Sequence, residues 1–214
     1  VFEIILAGGV LMIPILACSV VAMAIVAERF WSLRSSKVIP RHLVAEIWLK
    51  VKENNMKSKD LKVIKENSAL GRILAAGLSN MHHGREQMKE AIEDVGRHEA
   101  HKLERYLTTL GTIAAVSPLL GLLGTVIGMI KVFATISAVG VGNAGALSTG
   151  ISEALVTTAA GMTVAIPALI CFRHLRAKVD GLVVFMEQEA LKLIEVVDGH
   201  RSKENLRIDE AGEL

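Results

Sequence analysis

Apolar residues in this chain gather into three long runs separated by strongly polar stretches. Ile4 to Ala27 carries no charge; between Tyr106 and Ser152 only Lys131 is charged; after Glu153 no charge returns until Arg173. A membrane-spanning helix needs about 20 mostly apolar residues, and each run reaches that length. The expected fold class is an all-α membrane protein with three transmembrane helices. The segments read as a first span at 1–27, a polar helical insert at 28–106, a second span at 107–137, a turn at 138–149, a third span at 150–172 and a helix with its tail at 173–214.

The first run has one competing reading. Ala22-Met-Ala24 has the small-x-small look of a signal-peptidase site, but Glu3 precedes the run where Lys or Arg would be expected, and the run is longer than a signal's apolar core. An uncleaved span, helical from Ile4 to Ala27, is expected. Positive charge then sets orientation. Arg29, Arg34, Lys37 and Arg41 follow the first span, Arg97, Lys102 and Arg105 precede the second, and Arg173, Arg176 and Lys178 follow the third. With three spans all these clusters fall on one side, so the N-terminus is expected outside and the insert and C-terminus in the cytoplasm. The turn 138–149 holds no Lys or Arg.

Helical spacing continues outside the spans. Leu43, Val44, Ile47, Trp48 and Val51 suggest one helix in the insert, Asp60 to Glu66 a second and Ala69 to Ser79 a third, followed by a turn at His82-His83-Gly84. From Arg85 the pattern Met88, Ala91, Ile92, Val95 runs on to Leu103 and into the second span, predicting one unbroken helix. After the third span, Leu182 through Val197 predicts another, ending near Asp198-Gly199 with a frayed tail. Their amphipathic faces need partners, which predicts an oligomer.

Composition agrees with the membrane class: 51% of residues are hydrophobic and only 4% aromatic. The net charge of +2 includes no basic tail, so nucleic acid is not an expected partner. Cys18 and Cys171 lie in apolar runs and are expected to be small hydrophobes. No metal is expected; His98 and His101 lie one turn apart but lack a third ligand. Neither a phosphate-binding loop nor a nucleophile–base set is apparent, so no enzyme and no cofactor is expected.

Within the spans, Ser117, Gly121, Gly124, Thr125 and Gly128 and, in the third run, Thr157, Thr158 and Gly161 are small residues at near four-residue spacing. Such spacing lets helix backbones approach closely in lipid, and the threonines can bond back to the preceding turn. On a second reading the hydroxyls line an ion path. Pro14, Pro118 and Pro167, one per span, are possible kinks. Glu153 and Lys131 are the only ionisable groups in the hairpin's apolar stretch; both lie near its outer end, where an antiparallel hairpin lets them pair. No carboxylate or histidine lies at mid-span. A chain that moves protons would need a partner to supply that group.

The block Ser117-Pro118-Leu-Leu-Gly121-Leu-Leu-Gly124-Thr125-Val-Ile-Gly128-Met, with Gly150-Ile-Ser-Glu153-Ala-Leu-Val-Thr157-Thr158-Ala-Ala-Gly161 and Ala165-Ile-Pro167-Ala, resembles the MotA/TolQ/ExbB proton-channel family. Ile13-Pro14-Ile and Glu28-Arg29-Phe-Trp31-Ser-Leu-Arg34 look like its ExbB branch. The resemblance covers the three spans and their flanks. It implies a multi-pass protein of the bacterial inner membrane, a homopentamer enclosing an ExbD/TolR-like single-span partner with a protonatable Asp, and a TonB-like energy transducer beyond it. By motif position it implies Thr125, Glu153 and Thr158 as the proton pathway, with Thr157 an added hydroxyl and Lys131 in place of a neutral residue. Gly121, Gly124, Gly128 and Gly161 are left to helix packing, and Arg173, Arg176 and Lys178 to the inner mouth or to membrane lipids. A TolQ-like role in the Tol-Pal system and a passive membrane scaffold are the alternatives.

Overall fold

A computed structural model describes residues 8–40, 45, 47, 49, 58–81, 83–140 and 144–212. The described residues are helical apart from short connections: α1 Met12–Ser32, α2 Ser35–Val38, α3 Ser58–Asn67, α4 Ala69–Ser79, α5 Arg85–Glu104, α6 Leu107–Val139 and α7 Ala144–Gly212. Three of these helices, α1, α6 and α7, contain stretches long and apolar enough to cross a membrane. The protein is an all-α, three-span membrane protein. The chain divides into two compact units: residues 1–31 with 106–176, which hold the spans, and residues 32–105 with 177–214.

In the spanning unit, α6 and α7 run antiparallel and meet along small residues. Gly111 of α6 lies against Phe172, Gly121 against Thr158, and Gly128 against Ala154 and Gly150. Helix α1 runs parallel to α7: Gly8 near its start adjoins Val156, and Phe30 near its end stacks on His174 with ring centroids 5.9 Å apart. The outward faces carry large apolar side chains, among them Ile13, Met23, Leu119, Phe133, Leu155 and Ile170. In water that surface would be untenable; in lipid it needs no cover.

Helix α1 starts at Met12, so the helix read from Ile4 to Ala27 is broken at residues 8–11; the part of that reading before Gly8 lies outside the described residues. Gly9 takes φ +65, a left-handed conformation that glycine adopts without penalty and that an α-helix cannot contain. Pro14 therefore falls in the first turn of α1, where its missing N–H costs no helical bond. Pro118 and Pro167 lie inside α6 and α7, which continue through them. The predicted unbroken helix from Arg85 into the second span is interrupted. Arg105 is extended and Tyr106 has φ 64, so α5 ends at Glu104 and α6 begins at Leu107. A tyrosine in this region costs about 1–2 kcal/mol. The guanidinium of the buried Arg29, 5.5 Å from the Tyr106 ring centre, helps to hold it there. Helix α7 also runs past Asp198-Gly199 to Gly212, and α6 and α7 extend into the predicted turn, as far as Val139 and from Ala144.

The second unit is built on α4, which is buried along most of its length. Ser68 caps it by accepting a hydrogen bond from the Gly71 N–H at 3.0 Å. Gly77 lets Ile92 of α5 and Leu193 of α7 close on its backbone. The helices predicted over Asp60 to Glu66 and Ala69 to Ser79 are α3 and α4. The helix predicted from Leu43 to Val51 falls mostly outside the described residues.

One buried carboxylate ties this unit together. Glu99 of α5, 2% exposed, accepts from Arg72 of α4 at 2.6 Å and from Lys102 at 2.9 Å. Burial pushes its pKa up, but the hydrogen bonds and charges of Arg72 and Lys102 outweigh that and hold it below the ordinary range. A carboxyl whose pKa is lower folded than unfolded adds stability above the unfolded value, near 4.3, and that stability is lost as pH falls through the folded value. Protection factors of the α4 and α5 amides, each exchange rate taken relative to the intrinsic rate at that pH, are expected to be steady from neutrality to about pH 5 and to fall below pH ~4. Glu99→Gln is expected to remove that acid dependence while weakening protection at neutral pH.

Candidate functional site

The third span opens with a carboxylate whose surroundings are all supplied by the spanning unit. Lys131 of α6 donates from Nζ to Glu153 Oε1 at 2.6 Å and to Oε2 at 2.8 Å. The glutamate side chain is 16% exposed and the lysine 52%. On the other side lies the backbone of Gly9, so close that a Cβ there would overlap the carboxylate. The pairing expected from the two depths is present. Gly9 was not foreseen; the only signal was the Gly8-Gly9 pair inside an otherwise apolar run.

One turn further along α7, Thr157 is buried and its hydroxyl donates to its own helix, at 2.8 Å from the Glu153 carbonyl and 3.0 Å from that of Ala154. Thr158 reaches across the hairpin and donates to the Gly121 carbonyl at 2.9 Å. Thr125 is half-buried and bonds back to Leu122 at 2.6 Å. Thr157 and Thr158 thus sit on the α6–α7 seam, whereas Thr125 bonds within α6. A cavity of about 140 Å³ adjoins this cluster, lined by Glu153, Lys131, Thr157, Gly124, Leu11 and Ile127 among others.

The four glycines share that seam. A Cβ on Gly124 would stand 2.6 Å from the Thr157 Cβ, one on Gly128 2.7 Å from the Ala154 Cβ, one on Gly121 3.0 Å from the Thr158 Cα, and one on Gly161 2.6 Å from the Ser117 carbonyl oxygen. All these contacts are within one chain. Ser117 Oγ, fully buried, has no hydrogen-bond partner among the described residues. Arg173 and Arg176 are exposed on α7 and Lys178 is half-buried. Cys18 and Cys171 are free thiols, and no cluster that could hold a metal forms among the described residues.

These features define a three-span membrane protein whose hairpin carries one shielded carboxylate and a seam of hydroxyls and glycines. Residues 65–188 match the MotA/TolQ/ExbB proton channel family. Among known proteins, the chain is 38% identical over 174 residues to the biopolymer transport protein ExbB-like 1 of Synechocystis sp., covering 79% of this chain and 68% of that one. It is 35% identical to ExbB-like 3 of the same organism, covering 90% and 92%, and 27% identical to the Tol-Pal system protein TolQ of Pseudomonas aeruginosa, covering 80% and 79%. The chain belongs to the MotA/TolQ/ExbB proton channel family, with ExbB-like proteins among its near relatives. It is a multi-pass inner-membrane protein of channel type, not an enzyme.

Proposed function

We propose that this chain is the ExbB-like subunit of a motor driven by the proton-motive force. Five copies form a pore around the transmembrane helices of an ExbD/TolR-like partner, and Thr125, Glu153 and Thr158 pass protons to and from that partner's Asp. A TonB-like transducer carries the work to outer-membrane transporters. In this reading the N-terminus is periplasmic, and the second unit, with Arg173, Arg176 and Lys178, is cytoplasmic.

The observation that carries the proposal is the state of the hairpin's two charges. Lys131 and Glu153 are the only Asp, Glu, Lys, Arg or His residues between Leu107 and Phe172, and they are bonded to each other near the outer ends of their spans. A proton crossing mid-membrane therefore needs a titrating group from a second protein. Oligomerisation has its own support in the second unit: a groove of about 420 Å³ between α5 and α7 has apolar walls, including Ile92, Ala100, Met186 and Ala190, and charged residues at its rim.

A TolQ-like role in the Tol-Pal system is the runner-up, supported by the TolQ relative. The passive scaffold, in which the small residues only pack helices, is the other alternative. Native mass spectrometry of the chain co-expressed with a small Asp-bearing single-span partner tests the proposal. Five copies holding one or two partner chains is the expected result. An oligomer that excludes both ExbD-like and TolR-like partners would sink the motor reading.

A further inference from the structure

Glu153 is held in a way that bears on which ion can use it. Both carboxylate oxygens accept from the Lys131 ammonium, at 2.6 and 2.8 Å. The Gly9 backbone closes another side of the group. The nearest hydroxyl, Thr157, gives its proton to its own helix. An alkali cation can settle beside a carboxylate in a mostly apolar cavity only if that carboxylate's charge is free to pair with it, water filling its other ligand positions. Here the Lys131 ammonium already holds both oxygens.

Water is a different matter. The adjoining cavity, about 140 Å³, has room for a few molecules at roughly 30 Å³ each, and Lys131, Glu153 and Thr157 give it polar contacts. Water can bring a proton to the carboxylate without a second full cation entering beside the ammonium. The long lysine stem, half exposed, can swing its charge away as the proton arrives.

We infer that Lys131 is a specificity-determining residue: a tethered countercation that bars sodium and other alkali ions from Glu153 while leaving the carboxylate open to protons. This rests on the motor reading for its purpose, since it fixes the coupling ion as the proton. Its geometry does not depend on the partner. The sequence pattern around Glu153 alone would not distinguish a proton site from a sodium site; the lysine does.

The test uses the full chain in lipid nanodiscs without a partner, with dicyclohexylcarbodiimide as the probe. This reagent couples to protonated carboxyls inside bilayers, and mass spectrometry of the Glu153 peptide reads the adduct. Labelling is run at an acidity where the wild type reacts measurably, in sodium chloride and in choline chloride. The wild type and Lys131→Arg are expected to label equally in both salts. Lys131→Met is expected to gain sodium protection, with labelling falling roughly tenfold when sodium is about ten times its Kd. Sodium protection of the wild type would overturn the proposal, and so would its absence in a folded Lys131→Met. Should Lys131→Met fail to insert, Lys131→Gln takes its place and is held to the same result, sodium protection supporting the proposal and its absence overturning it. The labelling reads Glu153 in the isolated chain, whereas the motor reading stands or falls on partner assembly, so the two fail in different experiments.

Discussion

Gly161→Leu is expected to strip the folded chain from the membrane, leaving little protein that resists mild proteolysis after detergent extraction. The reason is what lies opposite. A Cβ at Gly161 would stand 2.6 Å from the Ser117 carbonyl oxygen and 3.1 Å from the Gly121 Cα, and both are backbone atoms of α6 that cannot rotate aside. The hairpin could admit the side chain only by moving the two helices apart. That would stretch the Thr158 to Gly121 hydrogen bond and loosen the contacts at Gly124 and Gly128. Overpacking of this kind costs about 3 kcal/mol, a large part of the stability of an ordinary domain. Gly181→Leu is the control: nothing lies within 4 Å of a Cβ there, so protease resistance should be retained. Equal loss in both variants would show that the seam has no special role.

This result also separates packing within a chain from packing between chains. Small residues at four-residue spacing suggest helix association, and on the scaffold reading Gly124→Leu would break oligomers. In the structure Gly124 faces Thr157 of its own chain. The damage from Gly124→Leu should thus fall first on the hairpin, with oligomer loss as a consequence.

The spans were legible because lipid imposes a long, charge-free run that few soluble helices have, and the three runs correspond to α1, α6 and α7. The Lys131–Glu153 pair was legible for a similar reason, since two isolated charges at matching depth have few other partners. Helix ends were harder. Nothing in Arg105-Tyr106 marks a break, because neither residue is Gly or Pro; the left-handed Tyr106 is compatible with tertiary contact from Arg29, 77 positions earlier by the numbering. Gly9 shows the opposite failure. Its local signal was present, but the surrounding hydrophobicity masked it, and its approach to Glu153 depends on how α1 packs beside α7. For the threonines the sequence is compatible with both packing and an ion path. The hydroxyls of Thr157 and Thr158 are now located in hydrogen bonds, and a mutational test has to take account of those bonds.

Glu153→Ala is expected to abolish proton-dependent work while leaving the chain assembled. Removing a positioned group that passes a proton lowers a rate on the order of 10²-fold or more, enough to erase growth that depends on the motor. The complication is Lys131, which the same substitution leaves without its carboxylate. Its side chain is half exposed and lies in the C-terminal part of α6, so the ammonium can extend toward the interface instead of remaining in hydrocarbon. Insertion should therefore survive. The double variant Lys131→Met/Glu153→Ala removes the stranded charge and separates the two explanations. If the loss comes from the missing proton carrier, the double variant stays inactive. Recovery in the double variant would mean that the unpaired lysine had blocked the path and that Glu153 carries no proton. Thr158→Val completes the comparison, since it keeps the side-chain shape and deletes the one hydroxyl that bonds across the seam. A loss of work with normal protease resistance would assign that hydroxyl to the pathway. A parallel fall in both would return it to packing.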